Sequence, residues 1–571
     1  MKFSRSIRIF AILSIFIFSA FNIYWNFNSN KVYSEDVVES LFLVDPVYDN
    51  FVQTGSLNFQ SFFAGGESIF ITIFYFTIFL VFGVKSNTLY LINLILLLLS
   101  ILILYNTFKK IFDDDTAGLF IIIFLGLPGT VLMSRMLYEH MFLLFFFSLS
   151  LHFLVALKKF QDRALSILFG LSLGMLALTR HPAFPYVASF VLFVATKYKS
   201  TEKPGRDLMI RVCESIMILL ILIWDYYRLC IGGLGMIECI LSVAVLVGYF
   251  RKRKQSKLSN LVDSLSIFIW MSAPVYIFKF HSLLTRYSGE MIVESEYILD
   301  FTRFLVVFLQ THTNLVVCFL IVICGAIFLK RKNEFKSFFL YLIAIPFIFF
   351  GLFPIKSDQA LFPVLMPTSI IIASAFKKKY ILTLFFFVAV MYYSFPFENQ
   401  INIGFQINNE KIPVFSRLHN RYYIHEPGTV SRFSVMKRDY LQSALALMNL
   451  SAGSPIKLLT MTTLSAFESD VILFKSLESE KIPRIIALDY TNFDQENITE
   501  IIMDFDYAII EKDYTCMVPE PKFIRFNETA LHIYNYFSKT QKEYERISEF
   551  NYSDNCTLII YRSTQPAFSL P

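Results

Sequence analysis

The sequence predicts a mostly α polytopic membrane protein of about thirteen transmembrane helices, ending in a soluble α/β domain on the outer side of the membrane. Three observations carry this. The 571 residues are 55% hydrophobic and only 17% charged, and the mean hydropathy of +0.55 lies far above that of a soluble chain this long. The apolar residues gather into runs about as long as a bilayer is thick, separated by short basic clusters. After about residue 397 both features stop, and short apolar stretches alternate with mixed charge.

The elements follow in order. MKFSRSIR precedes an apolar run at about 9–27 with no small-residue cleavage site behind it, which predicts a retained first helix with a cytoplasmic N-terminus. The stretch KVYSEDVVESLFLVDPVYDN, with Glu35, Asp36, Glu39, Asp45 and Asp49, then lies outside, in a first loop of 28–87. Within that loop the apolar run at 67–83 is short for a span, and a crossing there would put every later basic cluster outside. It is therefore expected as an interfacial or re-entrant helix. Basic clusters at Lys109–Lys110, Lys158–Arg163, Lys197–Arg211, Arg251–Lys257, Lys330–Lys336 and Lys377–Lys379 are each expected in the cytoplasm, with two crossings between neighbours. Helices are expected near 88–108, 117–134, 141–157, 165–180, 183–197, 212–227, 229–249, 264–280, 304–329, 337–355, 360–376 and 380–396. With the first helix the total is odd, so residues 397–571 end outside as an integral part of a multi-pass cell-membrane protein.

In that last region KLLTMTT, RIIALDY, DYAIIE and TLIIYRS read as buried strands. It also holds Asn-x-Ser/Thr triplets at Asn449, Asn497, Asn527, Asn551 and Asn555, while residues 1–396 hold none, which agrees with an outside location. Cys516 and Cys556 are the cysteines in polar sequence and would pair if this region faces an oxidising compartment. The net charge of +6 is small and spread over the loops, so nucleic acid is not an expected partner. No CxxC or HExxH spacing points to a metal, and no cofactor is indicated; dependence on a divalent metal stays open. Asp113-Asp114-Asp115 reads as a helix start rather than a metal site.

With this topology a polar set falls at the outer ends of the helices. It comprises Glu35 and Asp36; Arg135, Tyr138, Glu139 and His140 in MSRMLYEHMF; Arg180 and His181 in LALTRHPAFP; His281 and Arg286; and Lys356 and Asp358 in FPIKSDQALFPVLMP. A charge at a helix end facing water needs no function, and for any single residue that plain reading is as good as the functional one. As a set they say more, because charge at membrane depth is costly. Arg180-His181 stands before Pro182 and Lys356–Asp358 before Pro363 and Pro367, where helices break and free backbone groups can line a cavity. Arginine grips phosphate bidentately and lysine adds a point charge, while a carboxylate can take the proton of an attacking hydroxyl. Such a set suits a substrate with an anionic head and a long apolar tail.

The stretch from Glu35 to about Tyr186 resembles the GT-C superfamily of membrane glycosyltransferases, of the protein O-mannosyltransferase and lipid A aminoarabinose-transferase type. Four blocks carry the resemblance in order: Glu35-Asp36 after the first helix; FFAGGESIF…LVFG; NTFKKIFDDDTAG…GLPGTVLMSRMLYEH; and FGLSLGMLALTRHPAF, close to the family's Gly-x-x-x-Gly-x-x-x-Leu-Thr-Arg-Pro pattern. A weaker fifth is SDQALFPVLMPTSIIIAS, which lacks the Arg-Tyr of the family's helix. The resemblance implies inverting transfer of a sugar from a polyprenyl-phosphate-linked donor to a lipid, glycan or protein acceptor on the outer face. It makes Asp36 or Glu35 the base and Arg180 a residue for the donor phosphate, with Tyr138 and Glu139 in the aromatic-acidic turn. Arg135, His181, Lys356 and Asp358 complete the expected substrate-binding set. The first loop departs from the family in having GGES where many members show paired prolines, and His181 stands between Arg180 and Pro182. A transporter or flippase of lipid-linked glycans without transferase activity is the alternative; it would need ionisable groups nearer the midplane and related halves.

Overall fold

The structure, a computed structural model, describes chiefly residues 2–28, 69–83, 85–135, 140–157, 159–179, 183–197, 206–230, 256–293, 312–313, 315–352, 358–375 and 380–394, with Phe51, Val245, Leu246, Tyr249 and Phe308 as isolated positions and seven strands between 403 and 563. The helices are α1 (Lys2–Asn28), α2 (Ile69–Phe82), α3 (Ser86–Ile111), α4 (Asp114–Leu125), α5 (Pro128–Ser134), α6 (His140–Ala156), α7 (Arg163–Thr179), α8 (Phe184–Lys197), α9 (Arg206–Cys230), α10 (Lys257–Val293), α11 (Leu315–Leu329) and α12 (Lys336–Leu352). A 3-10 turn (Asp358–Val364), α13 (Leu365–Ala375) and α14 (Tyr380–Ser394) complete them. Helices dominate because an apolar run in lipid must satisfy its backbone within itself. Among the described residues Ser6–Phe27, Asn87–Ile111 and Lys257–Ile277 are each long and apolar enough to cross a membrane, and eight shorter apolar helices accompany them. The expected helix at 229–249 falls almost wholly outside the described residues.

The chain divides into two compact units, one of Met1–Phe27, Leu43–Ile78 and Thr88–Leu418, the other of Asn28–Phe42, Phe79–Asn87 and His419–Pro571. In the first unit, contacts order the helix ends. Arg8 of α1 pairs with Asp114 at the start of α4, and Lys109 near the end of α3 reaches the same carboxylate at 3.1 Å. At the other end of α1, Trp25 stacks edge-on against Tyr90 near the start of α3, at 5.4 Å. So α3 runs against α1, and α4 runs with it. Thr107 lies 2.9 Å from His152 near the end of α6, so α6 returns toward the Arg8 end. Arg331 donates to the Ala375 carbonyl at 3.0 Å, while Phe112 lies against Phe328 and Phe339, so α11 ends, α12 begins and α13 ends there too. Every basic cluster that adjoins a described helix end sits at the Arg8 end, as the pairing of crossings requires.

One expected helix is broken. Residues 117–134 form α4 and α5, set 68° apart. Gly126 caps α4, Leu127 is extended, and Pro128 opens α5 at a position where its missing N–H costs nothing. The next free amide, that of Gly129, donates to the His312 carbonyl at 3.2 Å. A side chain at 129 would collide with His312, its Cβ falling 2.5 Å from Nδ1. At the other end Asp113 caps α4 by accepting from the Thr116 amide at 2.7 Å, the helix start expected there. Residues Thr116–Leu125 are all buried, making α4 the core of the bundle, with α13 and α14 against it. In α2, Phe74 and Tyr75 meet Phe142 of the first turn of α6, at 4.8 and 6.0 Å.

In the C-terminal region the strands are β1 (Ile403–Ile407), β2 (Glu410–Phe415), β3 (Ile456–Met461), β4 (Ile485–Asp489), β5 (Tyr507–Glu511), β6 (Tyr544–Ser553) and β7 (Cys556–Ser563). β1 and β2 pair antiparallel; the other five form one mixed sheet in the order β4-β3-β5-β7-β6. β3 lies parallel to β4 and β5, and β7 antiparallel to β5 and β6. All four apolar stretches read as strands are strands, and Ala508, Ile559 and Ile560 on β5 and β7 are buried.

Candidate functional site

The site is built on the helix ends remote from Arg8. Arg135 caps the broken α5 and is buried, 7% exposed. Its Nε donates to Asn22 Oδ1 of α1 at 3.3 Å and its Nη2 to the Ser394 carbonyl at the end of α14, at 2.6 Å. The guanidinium lies 5.6 Å from the centre of the Trp25 ring, a cation–π distance. Asn22 is itself fixed, donating to the Phe18 carbonyl at 2.9 Å and accepting from Ser134 Oγ at 3.0 Å. Three helices thus converge on one arginine. His140, also buried, opens α6 five residues on.

Further described elements lie next in sequence to other expected positions. α7 runs from the Arg8 end to Thr179, the residue before Arg180, and α8 begins at Phe184, two residues after Pro182. The 3-10 turn that Asp358 opens packs against α5 and α6, and its Phe362 faces Phe124 near the end of α4 at 6.1 Å. Glu35, Asp36, Tyr138, Glu139, Arg180, His181, Lys356 and Cys516 lie outside the described residues, as do the side chains of Asp358, His281, Arg286 and Cys556. Among the described residues no cluster of His, Cys, Asp and Glu has an arrangement that would hold a metal ion.

Two polar groupings escape the sequence reading. Asn22, Trp25 and Ser394, which hold Arg135, are uncharged and hidden in apolar runs. At the Arg8 end Asp263, fully buried in α10, accepts from Arg163 Nε at 3.1 Å, from Arg211 Nη1 at 2.8 and 3.0 Å, and from the Tyr249 hydroxyl at 2.9 Å. Arg163 and Arg211 read in sequence as solvated loop cations. An acid inside the apolar run SNLVDSLSIFIW was the available signal, since such a group demands partners.

Residues 68–224 match the family described as dolichyl-phosphate-mannose-protein mannosyltransferase. This is the kind of family the sequence motifs resemble, and the matched stretch carries the enzyme class of a membrane glycosyltransferase. No curated protein matched the sequence. Among solved structures, an Archaeoglobus fulgidus oligosaccharyltransferase complexed with Zn and sulfate is 13% identical, with a TM-score of 0.46 over 97% of this chain and 73% of that one. ArnT from Cupriavidus metallidurans is 10% identical in its apo state, with a TM-score of 0.36 over 98% of both chains. The same ArnT bound to undecaprenyl phosphate gives 10% and 0.34 over 97% of both.

Proposed function

We propose that the chain transfers a sugar, with inversion, from a polyprenyl-phosphate-linked donor to a lipid, glycan or protein acceptor on the outer face of a cell membrane. The observation that carries this reading is the family match over 68–224, which contains Arg135, Tyr138, Glu139, Arg180 and His181. On this reading the Arg8 end, with its basic clusters, is cytoplasmic, and the Arg135 end faces out. Asp36, with Glu35 as its neighbour, takes the proton of the acceptor hydroxyl as that oxygen attacks the anomeric carbon. The bond from that carbon to the donor phosphate breaks, and the phosphate leaves with the electron pair. Arg180 receives the developing phosphate charge, and Arg135, Tyr138, Glu139, His181, Lys356 and Asp358 shape the pocket.

Membranes carrying the protein, incubated with labelled polyprenyl-phosphate sugars, test it. Asp36→Asn is expected to lower transfer by at least about 100-fold with expression retained. Full activity in that variant removes Asp36 from catalysis, and lipid movement without any transfer supports the flippase instead.

A further inference from the structure

Asn22 is an amide in the buried face of a mainly apolar helix. That face runs Ile7, Ala11, Ser14, Phe18, Asn22 and Trp25, at the three- and four-residue spacing of one side of a helix. An amide there needs partners, since a buried polar group left unbonded is costly. Its Nδ2 donates to the Phe18 carbonyl one turn back, at 2.9 Å. That bond settles which way the amide faces. Oδ1 is turned toward α5, where it accepts from Ser134 Oγ at 3.0 Å and from Arg135 Nε at 3.3 Å.

The guanidinium of Arg135 is held by two bonds and a ring. Nε is held by Asn22 and Nη2 by the Ser394 carbonyl at 2.6 Å, and together these bonds set its direction. The Trp25 ring, three residues along α1 from Asn22, lies 5.6 Å away and limits its tilt. Trp25 is seated in turn, edge-on against Tyr90 of α3 at 5.4 Å. A loose arginine side chain has several torsions that an arriving anion must still. Here the fold has already stilled them, and two of the three groups that do so come from α1. An apolar side chain would join the same helices without the cost of desolvating a guanidinium. Charge kept at this depth points to use beyond support.

We propose that Asn22 and Trp25 are positioning residues for donor binding, acting through Arg135, whose guanidinium they set before the phosphate arrives. This rests on the reading in which Arg135 helps to shape the donor pocket. A guanidinium binds phosphate as a planar fork, so a group swung out of place loses paired hydrogen bonds at once.

The test uses the purified full-length protein in nanodiscs, with undecaprenyl phosphate as the probe. Asn22→Leu is close in volume and removes both amide bonds; it is expected to weaken binding about tenfold. Arg135→Met is expected to weaken it by more, and the double variant to bind no worse than Arg135→Met alone. Affinity is measured well below the thermal midpoint, because a purely architectural Asn22 moves the midpoint and leaves affinity unchanged. Wild-type binding by Asn22→Leu, or a penalty that adds in full to that of Arg135→Met, overturns the proposal. Wild-type binding by Arg135→Met overturns the reading beneath it, and the roles of Asn22 and Trp25 fall with that reading. Should Asn22→Leu not fold, Trp25→Leu keeps the amide bonds and removes the ring. A loss there of about two- to fivefold that vanishes in the Arg135→Met background supports the proposal, and an unchanged affinity overturns it.

Discussion

The two ends of the helix bundle hold arginine through different sets of groups. At the Arg8 end the cations meet carboxylates. Asp263 gathers Arg163, Arg211 and Tyr249, and Asp114 gathers Arg8, Lys109 and the Tyr105 hydroxyl, the last at 2.6 Å. At the other end Arg135 is held by an amide oxygen, a backbone carbonyl and an aromatic face. Asn22, Ser394 and Trp25 fix its place without themselves cancelling its charge. Carboxylates tie helices together at the Arg8 end, and at the other end Asn22, Ser394 and Trp25 bring α1 and α14 onto the guanidinium at the end of α5.

This contrast is open to direct attack. The largest loss is expected from Asp263→Ala, which strands the buried guanidinium of Arg211 and takes the carboxylate from the partly buried Arg163; unfolding of the purified protein followed by circular dichroism should show about 3–5 kcal/mol of destabilisation. The double variant Asp263→Leu/Arg211→Met should recover part of it, since removing a buried pair costs less than breaking one. Gly170→Ala drives a methyl into the Ser264 carbonyl and is expected to cost about 1–3 kcal/mol in the same assay. Arg135→Met is expected to cost a similar 1–3 kcal/mol, roughly the value of its lost hydrogen bonds, while reducing sugar transfer far more than Gly170→Ala does. Equal losses of transfer in those two variants would erase the distinction between the ends. The smallest effect is expected from Asp114→Asn, under about 1 kcal/mol, because Arg8 and Lys109 are 53% and 51% exposed and water screens the pairs.

Much of the architecture was legible because lipid makes hydrophobicity a ruler. The run at 88–108 became α3, the basic residues at described helix ends gathered at one end of the bundle, and four short apolar stretches became strands of one sheet. The single helix expected over 117–134 was not found, although its reason is written in Gly126-Leu127-Pro128. Proline inside a membrane helix is tolerated when neighbours satisfy the freed groups, and whether they do depends on a partner such as His312, remote in sequence. Of the candidate site, Arg135 was visible as a charge beside an apolar run. Its holders were not, because Asn22, Trp25 and Ser394 carry no mark that separates them from other residues of their helices.

By itself, then, the sequence determined the class of solvent, the mostly helical plan, the sorting of charge to one end and the motifs from Glu35 to about Tyr186 that resemble membrane glycosyltransferases. These depend on composition, on local order and on the length of apolar runs, all of which are properties of neighbouring residues. Only the tertiary structure decided that Arg163 and Arg211 meet on one buried carboxylate, that α4 and α5 stand 68° apart, and that Tyr276 reaches the Ala177 carbonyl of α7. Each depends on which side chain of a distant helix arrives at a given height. In a bundle that is set by close packing between faces, such as Gly170 on Ser264, which no single stretch of sequence contains.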